Sequence, residues 1–247
     1  MYFYINQTFK FEDDFLTSFS SKILENFIGY VRIQSFGNEV ASLFRKNVEE
    51  MKEKGIKGLI IDLRSNPGGA LTTAVEIGDY LIGEGELLTV RDKDGKEKVY
   101  KSKKGELELP MCVLINEQSA SASELVAGAL RDYNKATLIG KKTYGKGVVQ
   151  SVFDLGDKTA LRLTIAKYYT PSGECIHGKG ISPDIEVDLP QGVSISQNDK
   201  EIKNDTQLDA AIEEMKAEIE NDETQDLRQM VKIDKCLRNN VRFQQQD

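Results

Sequence analysis

Two stretches of this 247-residue chain carry residue types able to break a covalent bond. Asn116-Glu-Gln-Ser-Ala-Ser-Ala-Ser-Glu124 places serines at the predicted start of a helix, and Thr143-Tyr-Gly-Lys-Gly-Val-Val-Gln150 frames a lysine with two glycines. Together they point to a hydrolase in which a serine is the nucleophile and a lysine its base. The chain has one histidine, His177, so serine-histidine and multi-histidine metal chemistries have little to work with. His177 reads as a structural or surface residue, because nothing in the sequence identifies the orienting partner a catalytic imidazole needs.

Each of these residues also has a plainer reading. Ser121 followed by Glu124 matches a capping box, in which hydroxyl and carboxylate satisfy each other's backbone amides. The same position at a helix start offers free amides and a positive dipole end to a developing oxyanion. Lys146, with Gly145 and Gly147 beside it, is either a solvated loop lysine or a base held where no neighbouring side chain intervenes. A lysine amine accepts a proton only when uncharged, a state that its ordinary pKa of about 10.4 disfavours and burial promotes. The apolar pairs Val148-Val149 and Leu138-Ile139 are candidates to provide that burial. If residues 147–153 form a strand, Lys146, Val148 and Gln150 share a face, and the Gln150 amide can orient the amine. The turn Asn66-Pro-Gly-Gly69 is either an ordinary Pro-Gly turn or a source of amides facing the group that Ser121 attacks.

The elements that must position these residues follow an α/β pattern. The apolar run Gly58–Asp62 leads into the turn Arg64–Gly69 and a helix over 70–82, and Cys112–Ile115 leads into Asn116–Ala120 and a helix over 121–133. Two such strand-turn-helix units gather their chemistry at the strand ends. Before them, Gly29–Ile33 alternates as a strand and Asn38–Lys54 is a helix with Val40, Phe44, Val48 and Met51 on one stripe, stopped by Gly55. Aromatics without a steady period suggest a strand-like start and a short helix over about 13–26. After Thr137–Gly140 comes a β-rich stretch, 147–153, 159–169 and 185–187, with Asp154–Lys158 as a hairpin loop. Gln207–Asn221 reads as an amphipathic helix, and the end through Asp247 as a frayed tail.

Composition narrows the options further. A net charge of −7 argues against a nucleic-acid surface, and the mixed-charge runs 91–98 and 101–104 read as a solvated hairpin or loop. Cys112, Cys175 and Cys236 have neither zinc-site nor disulfide spacing, and Cys112 reads as a buried small hydrophobe. No window is apolar enough to span a membrane, and the start lacks the basic flank of a signal peptide.

Four ordered phrases, Gly58–Gly69, Ser119–Leu130, Gly140–Gln150 and Ala166–Gly173, strongly resemble the carboxy-terminal processing peptidases, or tail-specific proteases. The likeness runs from about Ile28 to Pro190 and more loosely through Gln207–Ala211. It implies a Clp protease/crotonase-like α/β core with an added β-rich segment and a C-terminal helical region. It also implies cleavage of proteins near their carboxyl ends by a Ser-Lys dyad, without metal or organic cofactor. By motif position the nucleophile falls on Ser121, the base on Lys146, its supporting glutamine on Gln150, and the oxyanion donors on the Gly68 and Ala122 amides. Only the resemblance separates Ser121 from Ser119 and Ser123. The expected division is an N-terminal extension (1–27), a peptidase core (28–190) and a C-terminal helical segment and tail (191–247).

Family members usually carry a substrate-capturing PDZ domain ahead of the segment matching Ile28, and an export signal or anchor. Only 27 residues precede Ile28, so neither is expected in this chain, and the envelope location that the family suggests is left without an address. Expected partners are flexible protein tails as substrate, with a homo-oligomer or regulatory partner to compensate for the missing domain. Two rival readings follow: a scaffold whose lysine is misplaced, and a crotonase-like acyl-CoA enzyme, for which no adenine-nucleotide pocket is evident.

Overall fold

A computed structural model describes residues 18–103, 107–156, 159–196, 203–222 and 224. The elements in chain order are β1 (Phe19–Leu24), β2 (Ile28–Ile33), α1 (Val40–Glu53), β3 (Gly58–Asp62), α2 (Leu71–Leu81), β4 (Gly85–Asp92), β5 (Glu97–Ser102), β6 (Met111–Ile115), α3 (Ala122–Asp132), β7 (Thr137–Gly140), β8 (Val148–Gly156), β9 (Thr159–Tyr169), β10 (Ile185–Glu186) and a final helix α4 over 206–222. Among the described residues they form a six-stranded sheet in the order β1-β2-β3-β6-β7-β10 and a four-stranded sheet in the order β5-β4-β9-β8.

The large sheet is parallel from β2 to β10, with β1 antiparallel at its edge. Every residue of β2, β3 and β6 is buried, as the apolar runs of β3 and β6 require of strands covered on both faces; β2 is equally buried although it carries Arg32. Period-two alternation divides them. Val31, Ile33, Leu59, Ile61, Val113 and Ile115 face a core shared with α1, α2 and α3. Ile28, Tyr30, Ile60, Cys112 and Leu114 face the other way, onto Ala211, Met215 and Ile219 of α4. The α4 stripe of Leu208, Ala211, Ile212, Met215 and Ile219 is thus a core face, and Cys112 is fully buried within it.

The expected helix over 13–26 is corrected. Phe19–Leu24 is a strand paired residue for residue with β2, and Glu25–Phe27 is one 3-10 turn; residues 13–17 fall outside the described residues, as does the tail ending at Asp247. The open edge of β2 needs a hydrogen-bonding partner, and that demand outweighs weak local propensity. Six residues assigned to an N-terminal extension therefore belong to the large sheet. The mixed-charge run 91–98 forms the tip of the β4–β5 hairpin. Strand β8 extends to Gly156, beyond the expected loop start, and the β8–β9 hairpin leaves Val152, Phe153, Leu155, Leu161 and Leu163 exposed.

Candidate active site

The carboxyl ends of β3 and β6 lie side by side, so the two polar turns that follow them touch. Leu63 N–H donates to Leu114 O (2.9 Å), and Ala120 N–H to Asn66 O (3.0 Å). Asn66 is fully buried and clamps this junction. Its Nδ2 donates to Ile33 O (2.7 Å), and its backbone carbonyl also accepts from Ser123 Oγ (3.0 Å).

The structure distinguishes the three serines. Ser119 is buried and its hydroxyl donates to Leu63 O (2.8 Å), while the buried Ser123 hydroxyl is taken by Asn66. Ser121 is half-buried and lines a cavity of about 290 Å³ together with Lys146, Val148, Val149, Gln150, Val152, Arg162 and Tyr168. The three residues expected to act as nucleophile, base and supporting glutamine therefore line one cleft. Ser121 has φ 57° and ψ −115°, a conformation that costs a non-glycine residue about 1–3 kcal/mol and persists only where the surroundings over-determine it. A larger hollow of about 850 Å³ opens at the opposite ends of β6 and β7, by Met111 and Thr137, and Ser121 and Lys146 are not among its lining residues.

Glu124 supplies that over-determination. Fully buried, its carboxylate accepts from Ser121 N–H (2.9 Å), Thr143 Oγ (2.6 Å), Gly145 N–H (2.7 Å) and Lys146 N–H (2.8 Å). One side chain thus ties the backbone of Ser121 to the backbone of Lys146. The capping-box reading found the first of these bonds. The other three come from residues 19 to 22 positions along the chain, beyond the reach of a local motif.

The glycines flanking Lys146 have a reason different from the one expected. A Cβ on Gly147 would lie 2.5 Å from His177 N, and one on Gly145, at φ 88°, would lie 2.9 Å from Gly180 N. They let the lysine loop pack against the backbone of 176–180, which is how exposed His177 contributes to the architecture. Val148 and Val149 line the cleft as expected, whereas buried Leu138 and Ile139 belong to the cores. A register shift in β8 at Val149/Gln150 lets both neighbours reach the cavity. Lys146 is half-buried and Gln150 exposed, so this wall of the cleft is open.

Of the two residues expected to offer oxyanion amides, Gly68 packs against Ser121. A Cβ there would meet Ser121 Cβ at 2.8 Å and Ala122 N at 3.0 Å, which leaves room for glycine alone. Ala122 N is the first amide of α3, at the positive end of the helix dipole. The Gly68 N–H donates to Asn66 Oδ1 (2.8 Å), so in this state that amide is already occupied.

Behind the first turn lies a buried charge cluster. Arg64 Nε and Nη2 donate to Asp62, Nη1 and Nη2 to Asp205, and Nη1 to Gln207, which uses all five N–H groups of the guanidinium. Burial works against the Asp62 carboxylate, but Arg64 overrides it and holds Asp62 below the usual carboxylate range, helped by the Tyr30 hydroxyl.

The profile of peptidase family S41 matches residues 27–187. The chain belongs to peptidase family S41. It is 41% identical over 192 residues to the carboxy-terminal-processing protease of Bartonella bacilliformis, covering 73% of this chain and 44% of that protein. It is 34% identical over 231 residues to a probable CtpA-like serine protease of Staphylococcus aureus strain COL, covering 89% and 45%. The solved photosystem II D1 C-terminal processing protease superposes with a TM-score of 0.63 at 32% identity, over 70% of this chain and 49% of that one. The chain thus spans about half the length of these relatives. The fold is the mixed α/β fold of S41 proteases, in agreement with the expected Clp protease/crotonase-like core.

Proposed function

We propose that this S41 family member is a serine endopeptidase that cuts proteins near their carboxyl ends, with Ser121 as nucleophile, Lys146 as base and Gln150 as the partner of that base. One observation carries the reading. Of three serines within five residues, two spend their hydroxyls on buried carbonyls, and the third stands at a strained helix start in the cleft that holds the lysine.

In this mechanism the uncharged Lys146 amine takes the Ser121 hydroxyl proton as Oγ bonds to the scissile carbonyl carbon. The carbonyl electron pair moves onto its oxygen, which receives a hydrogen bond from Ala122 N–H and the field of the α3 amino end. Collapse breaks the C–N bond, the lysine proton passes to the departing amine, and an acyl ester remains on Ser121. Water, deprotonated by the same lysine, then releases the new carboxylate. Strand β8 is an edge of the small sheet and begins two residues after Lys146, so an extended substrate has a backbone edge to join beside the chemistry. The substrate would also cover the half-buried amine and Val148, removing water from the site.

A specific observation favours a second reading, a subunit held inactive until a partner or substrate rearranges it: the Gly68 amide is bound to Asn66 rather than free for an oxyanion. One experiment addresses both. An active-site fluorophosphonate should form an adduct on the peptide containing Ser121, and Ser121→Ala should show none. Fragments of disordered proteins, sequenced by mass spectrometry, should then carry new ends clustered near the original carboxyl terminus. Labelling without cleavage supports the restrained subunit. Folded protein with no adduct at Ser121 defeats the peptidase assignment.

A further inference from the structure

We propose that Ile195 and the start of α4 with Asp205 before it, outside the residues matched by the family model, belong to the working site, and that Asp205 is a positioning residue acting through Arg64 on the Ser65–Gly69 turn. For catalysis this rests on the peptidase reading above; for structure it does not.

The turn is hard to hold. Ser65, Gly68 and Gly69 have φ of 57°, 104° and 149°, three left-handed positions within five residues. Its anchors are therefore informative, and the carboxyl-terminal segment contributes several. Ser65 Oγ donates to Ile195 O (2.7 Å), while Arg32 Nη2 of β2 donates to the next carbonyl, Ser196 O (2.8 Å), and so holds that acceptor segment in place. Arg64 enters the turn directly, and Asp205 grips it with both oxygens at 2.7 and 2.8 Å while Gln207 Oε1 accepts a further N–H at 3.1 Å. Bidentate pairing of this kind sets direction as well as charge. Asp205 is in turn fixed by α4: its Oδ1 accepts from Leu208 N–H (3.0 Å), and Gln207 Nε2 donates to Val187 O (2.9 Å). Near the far end of the turn lies Gly68, where an added Cβ would stand 2.8 Å from Ser121 Cβ. Hydrogen bonds thus run from the start of α4 to Arg64 at the head of the turn, and close packing links the turn to Ser121.

Asp205→Asn separates positioning from folding, because asparagine retains the helix cap while withdrawing the charge and one of the two acceptors of the arginine. Val48→Ala, a buried change in α1 far from the turn, serves as the control for general loss of stability. In the full chain, Asp205→Asn should speed hydrogen exchange across 63–70 and lower kcat and fluorophosphonate labelling about 30-fold or more, with KM within about twofold. Val48→Ala should lower Tm and leave kcat within about twofold at a temperature where it is folded. Gln207→Leu, which removes one acceptor only, should show a smaller change in the same direction and serves if Asp205→Asn does not fold. Unchanged exchange over 63–70 in both carboxyl-terminal variants overturns the proposal whether or not the chain is a peptidase. Altered exchange with unaltered kcat and labelling overturns the catalytic part and leaves the peptidase assignment standing.

Discussion

The two walls of the cleft are built differently. On the Ser121 wall the flanking serines, Asn66 and Glu124 are buried and hydrogen-bonded, and the strained backbone has no freedom to relax. On the other wall Lys146 is fixed at its backbone by Glu124, but its side chain is half-buried, Gln150 is exposed, and the β8–β9 hairpin beyond it presents bare apolar side chains. Ser121 is preset by packing, whereas Lys146 stands on an open wall. In the mechanism proposed above, a bound chain would cover on one side what packing already covers on the other.

The largest effect should come from removing what each wall contributes to proton transfer. Lys146→Ala is expected to cut peptidase activity about 10⁴-fold or more with Tm unchanged, measured by peptide cleavage and thermal melts. Retention of most activity would end the dyad assignment. Next comes the residue that joins the walls. Glu124→Ala leaves four donors facing a buried void, so urea denaturation should show a loss of about 3–5 kcal/mol and labelling should disappear. A loss below about 1 kcal/mol would mean that the walls are held together by something else.

Acid should act on the preset wall first. Asp62 is held below its ordinary value, so it binds a proton less readily when folded than when unfolded. The stability it contributes is present above its unfolded pKa of about 4 and is lost as pH falls through the lower folded value. Melts from pH 5 to pH 2 should show the decline, and it should flatten in Asp62→Asn. The smallest effect belongs to the open wall: Gln150→Ala should lower kcat about 10-fold and move stability by less than about 0.5 kcal/mol. Equal damage to Tm would show that this wall is preset too.

Much of the fold was legible because its signals are strong and local. The unbroken apolar runs of β3 and β6 and the stripe of α1 admit few alternatives. Strand β1 was not legible, since its pairing with β2 decides its state and its own aromatics have no period. Within the site, Ser121, Lys146 and Gln150 were named by the family resemblance, which alone set Ser121 apart from Ser119 and Ser123 in the sequence; the structure adds that those two hydroxyls are spent on buried carbonyls. Three donors to Glu124 and the Asp205 grip on Arg64 depend on contacts between distant segments, and no spacing rule reaches them. The Gly145 and Gly147 pair carried a real signal whose cause, close backbone approach, belonged to another loop.

Arg64 and Asp205 are separated by 141 positions, so the ion pair closes a very long loop. During synthesis the strands and the serine turn emerge well before the residue that completes this cluster. A ribosome-bound chain that ends short of Asp205 should therefore carry Ser121 without the arrangement around Arg64 that is proposed to position it. In refolding experiments, reactivity toward a fluorophosphonate should lag behind the return of far-UV circular dichroism; simultaneous recovery would contradict this order. The charge cluster behind the cleft is thus completed by a residue made long after the strands that frame it.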